Sequence, residues 1–164
     1  MPIVRQTIRE EMQGDPPRID RGTIEGLAEH AYDAREADPA GRFHRDSARG
    51  IALGQGVEVA TDGTLPLGCD GLAVLELLLV IVRPSTDSAT EALRILHELA
   101  HLILQRLGWR HSHADVWILA LAMGAPRSML RAQRQIDGVG LAALSRLPAW
   151  AAAERLDMHA AAAE

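Results

Sequence analysis

The chain contains no lysine and no asparagine. Its 17 basic side chains are therefore all arginine, beside 27 alanines and 22 leucines, a compositional bias from which no function follows. Cysteine is nearly absent as well. Cys69 stands alone, so no internal disulfide can form, and a reducing cytoplasm is the expected compartment. The longest apolar run, Leu72–Val82, is interrupted by Glu76, and its eleven residues fall short of the roughly 20 that a membrane-spanning helix needs. The start, Met1-Pro-Ile-Val-Arg5, carries no apolar core of a signal peptide. Repeats of solenoid length are missing, and the one low-complexity tract is the Ala-rich C-terminus. An excess of positive charge is missing too: 17 basic against 22 acidic residues, a net charge of −5, argues against a generally basic nucleic-acid coat.

What is present suffices for one domain of 164 residues, 48% apolar. Residues 1–20, with Gly14, Pro16 and Pro17, read as an N-terminal arm, and 21–164 as a single domain. Ile24, Leu27, Ala28, Ala31 and Tyr32 fall at helical spacing and predict a helix over 21–37, ended by Pro39 and Gly41. A short helix is expected over Arg42–Leu53. Val57 and Val59 around Glu58 suggest a short strand, and Leu72–Val82, stopping at Arg83-Pro84, a buried one. Residues 57–82 then make a sheet of two or three strands. Helix resumes at Ser88-Ala-Thr-Glu91, which fits a capping box, and runs to Leu107 with Gly108 as its stop. Further helices are expected over Ser112–Met123, Pro126–Gln135 and Leu141–Ala163, with Pro148 marking a turn or opening the final helix. The fold class is α+β, mostly helical, with a small sheet preceding the long helix; residues 126–158 form its C-terminal helices.

That long helix carries His97-Glu98-Leu99-Ala100-His101, an HExxH pattern. Imidazoles at i and i+4 lie one turn apart on one face and can reach a single zinc ion. Glu98, beside His97, can act as general base, because zinc lowers the pKa of a coordinated water to about 7. Chance would supply roughly 0.02 such matches in a chain with 7 His and 11 Glu. Leu93, Leu96, Ala100 and Leu104 share the histidines' stripe. Two imidazoles on a core-facing stripe must satisfy four ring nitrogens, and metal ligation does so. A catalytic zinc usually has three protein ligands. The spacing HExxHxxGxxH fails because residue 107 is leucine, so the third ligand comes from further on: His111, His113 or Asp115.

With its long helix and the segment Asp115-Val-Trp-Ile-Leu-Ala-Leu-Ala-Met-Gly-Ala-Pro126, the sequence resembles the ImmA/IrrE family of zincin-like metallopeptidases. In that family the HExxH helix is followed by a helix of the pattern E-A-x-x-F-A-x-x-L-L-M-P. Residues 140–156, ending in Arg155-Leu156, are similar to the family's closing helices, and the resemblance covers about residues 55–158. It implies a zincin-like fold, a Zn2+ site of His97, His101 and Asp115, and Glu98 as the catalytic carboxylate. It also implies cleavage of a specific protein substrate, a helix-turn-helix transcriptional repressor. Asp115 is one methylene shorter than the family's usual Glu, and His111 and His113 stay open as alternatives.

Outside the motif, His111 could stabilise an oxyanion or stand as a loop residue, Tyr32 defaults to packing, and Cys69 to a small buried or loop residue. Residues 126–156 carry Arg127, Arg131, Arg134, Arg146 and Arg155 against Asp137 and Glu154, with a weak helix-turn-helix look around Asp137-Gly138; direct DNA contact is not expected from this alone. Two other functions stay open. One is a non-catalytic zincin-fold binding protein; the other is a DNA-binding regulator acting through 126–156. No membrane partner is expected, and oligomeric state is open.

Overall fold

The computed structural model describes residues 17–41, 44, 47–133 and 135–162. Most of the expected arm, the start of the helix expected over Arg42–Leu53, and Arg134 lie outside the described residues. Within them the chain is α+β, with seven α-helices and one three-stranded sheet.

Helix α1, Arg21–Asp33, starts where the Asp20 carboxylate accepts the Thr23 amide and buries Ile24, Glu25, Ala28 and Ala31. It stops short of the predicted residue 37. Helix α2, Ala48–Gly54, is capped by Ser47, whose hydroxyl accepts the Gly50 amide. Residues 17–20 do not behave as an arm. Ile19 is buried, and its amide donates to the Arg110 carbonyl at 3.2 Å, so this stretch docks on the turn that follows the long helix.

The sheet holds β1 (Glu58–Thr61), β2 (Gly71–Val74) and β3 (Leu79–Val82) in the order β1-β3-β2. Strand β3 pairs in parallel with β1, matching Glu58 to Leu79, and antiparallel with β2, matching Gly71 to Val82. The run Leu72–Val82 is thus two strands rather than one. It folds back through a 3-10 turn at Leu75–Leu77 and a left-handed Leu78 (φ 48°), which sets Glu76 in solvent instead of inside a continuous strand. Val80 and Val82 of the central strand are fully buried. Strand β2 lies at the edge.

Helix α3, Ser88–Arg106, packs over the sheet and buries Leu93, Ile95, Leu96, Leu99, Ala100, Leu102, Ile103 and Leu104. Burying a leucine stabilises by about 1.5–3 kcal/mol, so this helix contributes heavily to the core. Its cap differs from the expected Ser88–Glu91 box. Asp87 caps instead, accepting the amides of Ala89 and Thr90, while Glu91 accepts from the Ser85 amide and from Arg49. A carboxylate one residue earlier reaches the same orphan amides with a full charge at the positive helix end. Gly108 follows as the expected stop, in the left-handed region (φ 67°).

Helix α4, His113–Gly124, is buried along Leu119–Gly124 between α3 and α1. Helix α5, Arg127–Ala132, is shorter than predicted. The span 141–163 divides at Pro148, which opens the final helix, one of the two roles the sequence left open for it: α6 is Gly138–Ser145 and α7 is Ala149–Ala161. A buried ion pair ties the ends together. The Arg155 guanidinium of α7 makes two bonds to the Glu25 carboxylate of α1, at 2.7 and 2.6 Å, and its Nε donates to the Ala125 carbonyl at 2.9 Å. No described helix is long and apolar enough to cross a membrane.

Candidate metal centre

Helix α3 presents His97, Glu98 and His101 where the edge strand and the head of α4 meet it. The ring centroids of His97 and His101 stand 4.9 Å apart, as one helical turn requires. The third imidazole comes from His113, the first residue of α4, 4.9 Å from His97 and 5.6 Å from His101. One ligating atom from each of the three lies within 4.8 Å of the others.

The expected third ligand, Asp115, does not join them. Its carboxylate accepts from the Ser112 amide at 2.7 Å and the Ser112 hydroxyl at 2.8 Å, while Ser112 Oγ accepts the Asp115 amide at 3.3 Å. This reciprocal cap holds Oδ2 at the helix start, and Asp115 is not among the residues whose ligating atoms cluster. Because Ser112 is the cap, His113 falls on the turn that faces α3, and Trp117, four residues on, falls beneath it. The sequence signal was Ser-x-x-Asp at 112–115, a capping pattern that explains Asp115 without any metal. His111 is held elsewhere, its Nδ1 on the Trp109 carbonyl at 2.8 Å.

Burial shapes the acid–base chemistry of the cluster. Desolvation, followed by the nearness of His101 and His113, pushes the His97 pKa down to about 4. His101 is lowered for the same first reason, with His113 and His111 adding to it. Both rings are therefore neutral at pH 7, each offering a lone pair. His97 Nδ1 is buried and has no hydrogen-bond partner among the described residues. Buried polar atoms are rarely left so. Three clustered imidazoles and an orphaned nitrogen fit a transition metal that takes nitrogen ligands, zinc included.

Glu98 sits half-buried beside the trio, and burial raises its pKa to about 6. Its place depends on Gly71 of β2. A Cβ at residue 71 would stand 2.6 Å from Glu98 Cγ and 2.9 Å from its Oε1, so only glycine lets the edge strand and this carboxylate meet.

The cluster opens into a cavity of about 610 Å³. Trp117 forms one wall with its ring 4.6 Å from that of His97, and Trp150 of α7 stands 6.1 Å beyond it. The opposite wall is the loop 68–71, which includes Cys69, half-exposed with its Sγ 3.1 Å from the Gly71 carbonyl. Arg94 braces that loop through Asp70 at 3.1 Å, and Arg83 donates to the carbonyls of Gly63, Leu65, Pro66 and Cys69. Sequence reasoning missed Gly71, the two tryptophans and Arg94, since each acts through a tertiary contact that no local spacing encodes. Tyr32 carries the Arg35 guanidinium over its ring at 3.8 Å and does not line this cavity.

The arginines of 126–156 are less of a basic surface than their number suggests. Arg155 is fully buried on Glu25, and Arg127 reaches the same carboxylate at 3.5 Å; Arg131 and Arg146 are exposed. A scan against protein-family models and a search among curated proteins each find no match for this chain.

Proposed function

We propose that this chain is a zinc-dependent metallopeptidase that hydrolyses a peptide bond in a specific protein. The observation that carries the reading is the convergence of His97, His101 and His113 beside the half-buried carboxylate of Glu98, all facing one open cavity. The resemblance to the ImmA/IrrE family extends the proposal to its substrate, a helix-turn-helix transcriptional repressor, cleaved in the cytoplasm. The third ligand departs from that family's acidic residue: His113 takes the place that the resemblance assigned to Asp115.

Zinc held by the three imidazoles would supply a Lewis acid that polarises the scissile carbonyl. Everything else falls to the chain's own groups. Glu98 is ionised at pH 7 but close enough to neutrality to exchange protons readily. Its carboxylate accepts a proton from the attacking water and returns it to the amine nitrogen as the C–N bond breaks, so one water is consumed and a carboxylate and an amine are released. Trp117 covers the His97 ring and keeps bulk water from that side. Arg83 and Arg94 hold the opposite wall in place.

The test uses a proteome-derived peptide library, with new N-termini identified by mass spectrometry. Zinc-loaded parent should generate a narrow set of termini, and Glu98→Gln none, with its zinc content unchanged. Equal cleavage by both would remove Glu98 from the chemistry, and no cleavage by the parent would favour the non-catalytic binding protein.

A further inference from the structure

The cavity at the histidines does not end there. Trp117 and Trp150 also line a second hollow of about 370 Å³, which continues along the surface between α4 and α7 past Ile118 to Glu154 and Met158. We propose that this trough is the substrate-recognition subsite, taking a polypeptide with a large apolar side chain near the scissile bond and a basic side chain two residues further along. The inference rests on the peptidase reading and adds to it the class of sequence recognised.

The composition of the trough is the first argument. The chain has only three tryptophans, and two of them stand here. Trp150 is 56% exposed, a large aromatic surface left in water directly beside the metal centre. Among the described residues its one aromatic neighbour is Trp117, in an edge-on contact at 6.1 Å, which leaves ring faces open to a guest.

Spacing is the second. Trp150, Glu154 and Met158 recur every four residues and so share one face of α7. Four residues of helix rise about 6 Å, close to the length of two residues of extended chain. In an extended peptide, residues i and i+2 point to the same side. A peptide whose side chain i packs on Trp150 therefore offers side chain i+2 to Glu154.

Charge is the third. Glu154 is exposed and, among the described residues, is the only charged one lining the hollow. A basic side chain on the substrate would meet it without competition from a neighbouring arginine of the lining.

The experiment is fluorescence anisotropy with the zinc-loaded Glu98→Gln chain and fluorescein-labelled peptides of the form Ala-Ala-X-Ala-Arg-Ala, with blocked termini. With X as Phe, binding should be about tenfold tighter than with X as Ala, the effect of burying one aromatic side chain. Trp150→Ala should erase that preference. Its ring is largely exposed, so the fold should survive the change. Glu154→Arg, also at an exposed position, should reverse the order between this peptide and its counterpart with Glu in place of Arg. Equal binding of the Phe and Ala peptides, no binding of either, or a preference that survives Trp150→Ala overturns the proposal. So does a dimer of the free chain, seen by sedimentation and lost in Trp150→Ala, which would make the trough an interface between two copies. Failure of the peptidase reading looks different: the peptides bind with the stated preference, yet the zinc-loaded parent cleaves nothing. Cleavage without preference for X would leave the peptidase and remove the trough.

Discussion

Two polar clusters lie within this largely apolar fold, and they are built in opposite ways. At Glu25 and Arg155 the pair is closed: two bonds join guanidinium to carboxylate, a third reaches the Ala125 carbonyl, and the arginine has no exposure at all. At His97, His101 and His113 the cluster is open. Three rings face one another, a buried nitrogen has no partner among the described residues, and a cavity of about 610 Å³ leads to solvent. The closed cluster joins α1 to α7 and the end of α4. The open one brings three imidazoles close enough to hold one metal ion. Polarity that pairs within the core holds a fold together; an unpartnered nitrogen that coincides with clustered imidazoles and an open cavity marks a candidate site.

The contrast breaks most sharply at Arg155. Replacing it with methionine leaves the buried Glu25 carboxylate, among the described residues, with Arg127 alone, at 3.5 Å, and should cost about 3 kcal/mol, read as a lower urea midpoint. His97→Ala, in chelator, should shift that midpoint little, because it removes an unsatisfied group. Equal losses from the two variants would erase the distinction.

Gly71→Ala probes the open cluster without touching a ligand. The added methyl displaces Glu98, so peptide hydrolysis should fall by about 100-fold or more, the usual worth of a placed general base. Zinc content should stay at the parent level. Activity retained with the methyl in place would show that Glu98 does not depend on the edge strand.

A third effect is stabilisation by the guest. Zinc at 100 times its dissociation constant should raise unfolding free energy by about 2.7 kcal/mol in the parent and by nothing comparable in His97→Ala. Thermal melts with zinc and with chelator would read the difference directly.

The smallest effect is that of pH on the metal-free chain. His97, lowered from 6.5 to about 4, leaves the unfolded chain binding more protons between those values, so stability falls as pH drops from 6.5 to 4, and His101, also lowered, acts in the same direction below 6.5. Glu98 opposes them. Its raised pKa, from 4.5 to about 6, adds stability that is complete below 4.5 and lost as pH rises through 6. Melting temperature in chelator should therefore decline on acidification below 6.5, least steeply between 4.5 and 6. His97→Ala should flatten the curve, and a parent curve already flat would contradict the desolvation of His97 and His101.

The long helix and its two histidines were legible because their signals are local: a 3.6-residue stripe, a motif at fixed spacing and a glycine stop. The α+β class followed from the order of such segments. What failed to show depended on one residue acting through another. Asp115 matched the acidic position of the resembling family, but Ser112 claims its carboxylate first, and that shift of one cap turns His113 toward α3. Leu72–Val82 reads as one strand until Glu76, which cannot be buried without a partner, places a turn in it. Gly71 looks like any loop glycine; only the sheet packing against α3 reveals the carboxylate over it.

The central claim is that His113, and not Asp115, completes the centre. It is tested most directly by elemental analysis of zinc per chain in the parent, His113→Ala and Asp115→Asn. The account predicts about one zinc in the parent, retained in Asp115→Asn despite a weakened helix cap, and lost in His113→Ala. Zinc that persists without His113 and disappears with Asp115→Asn would contradict it.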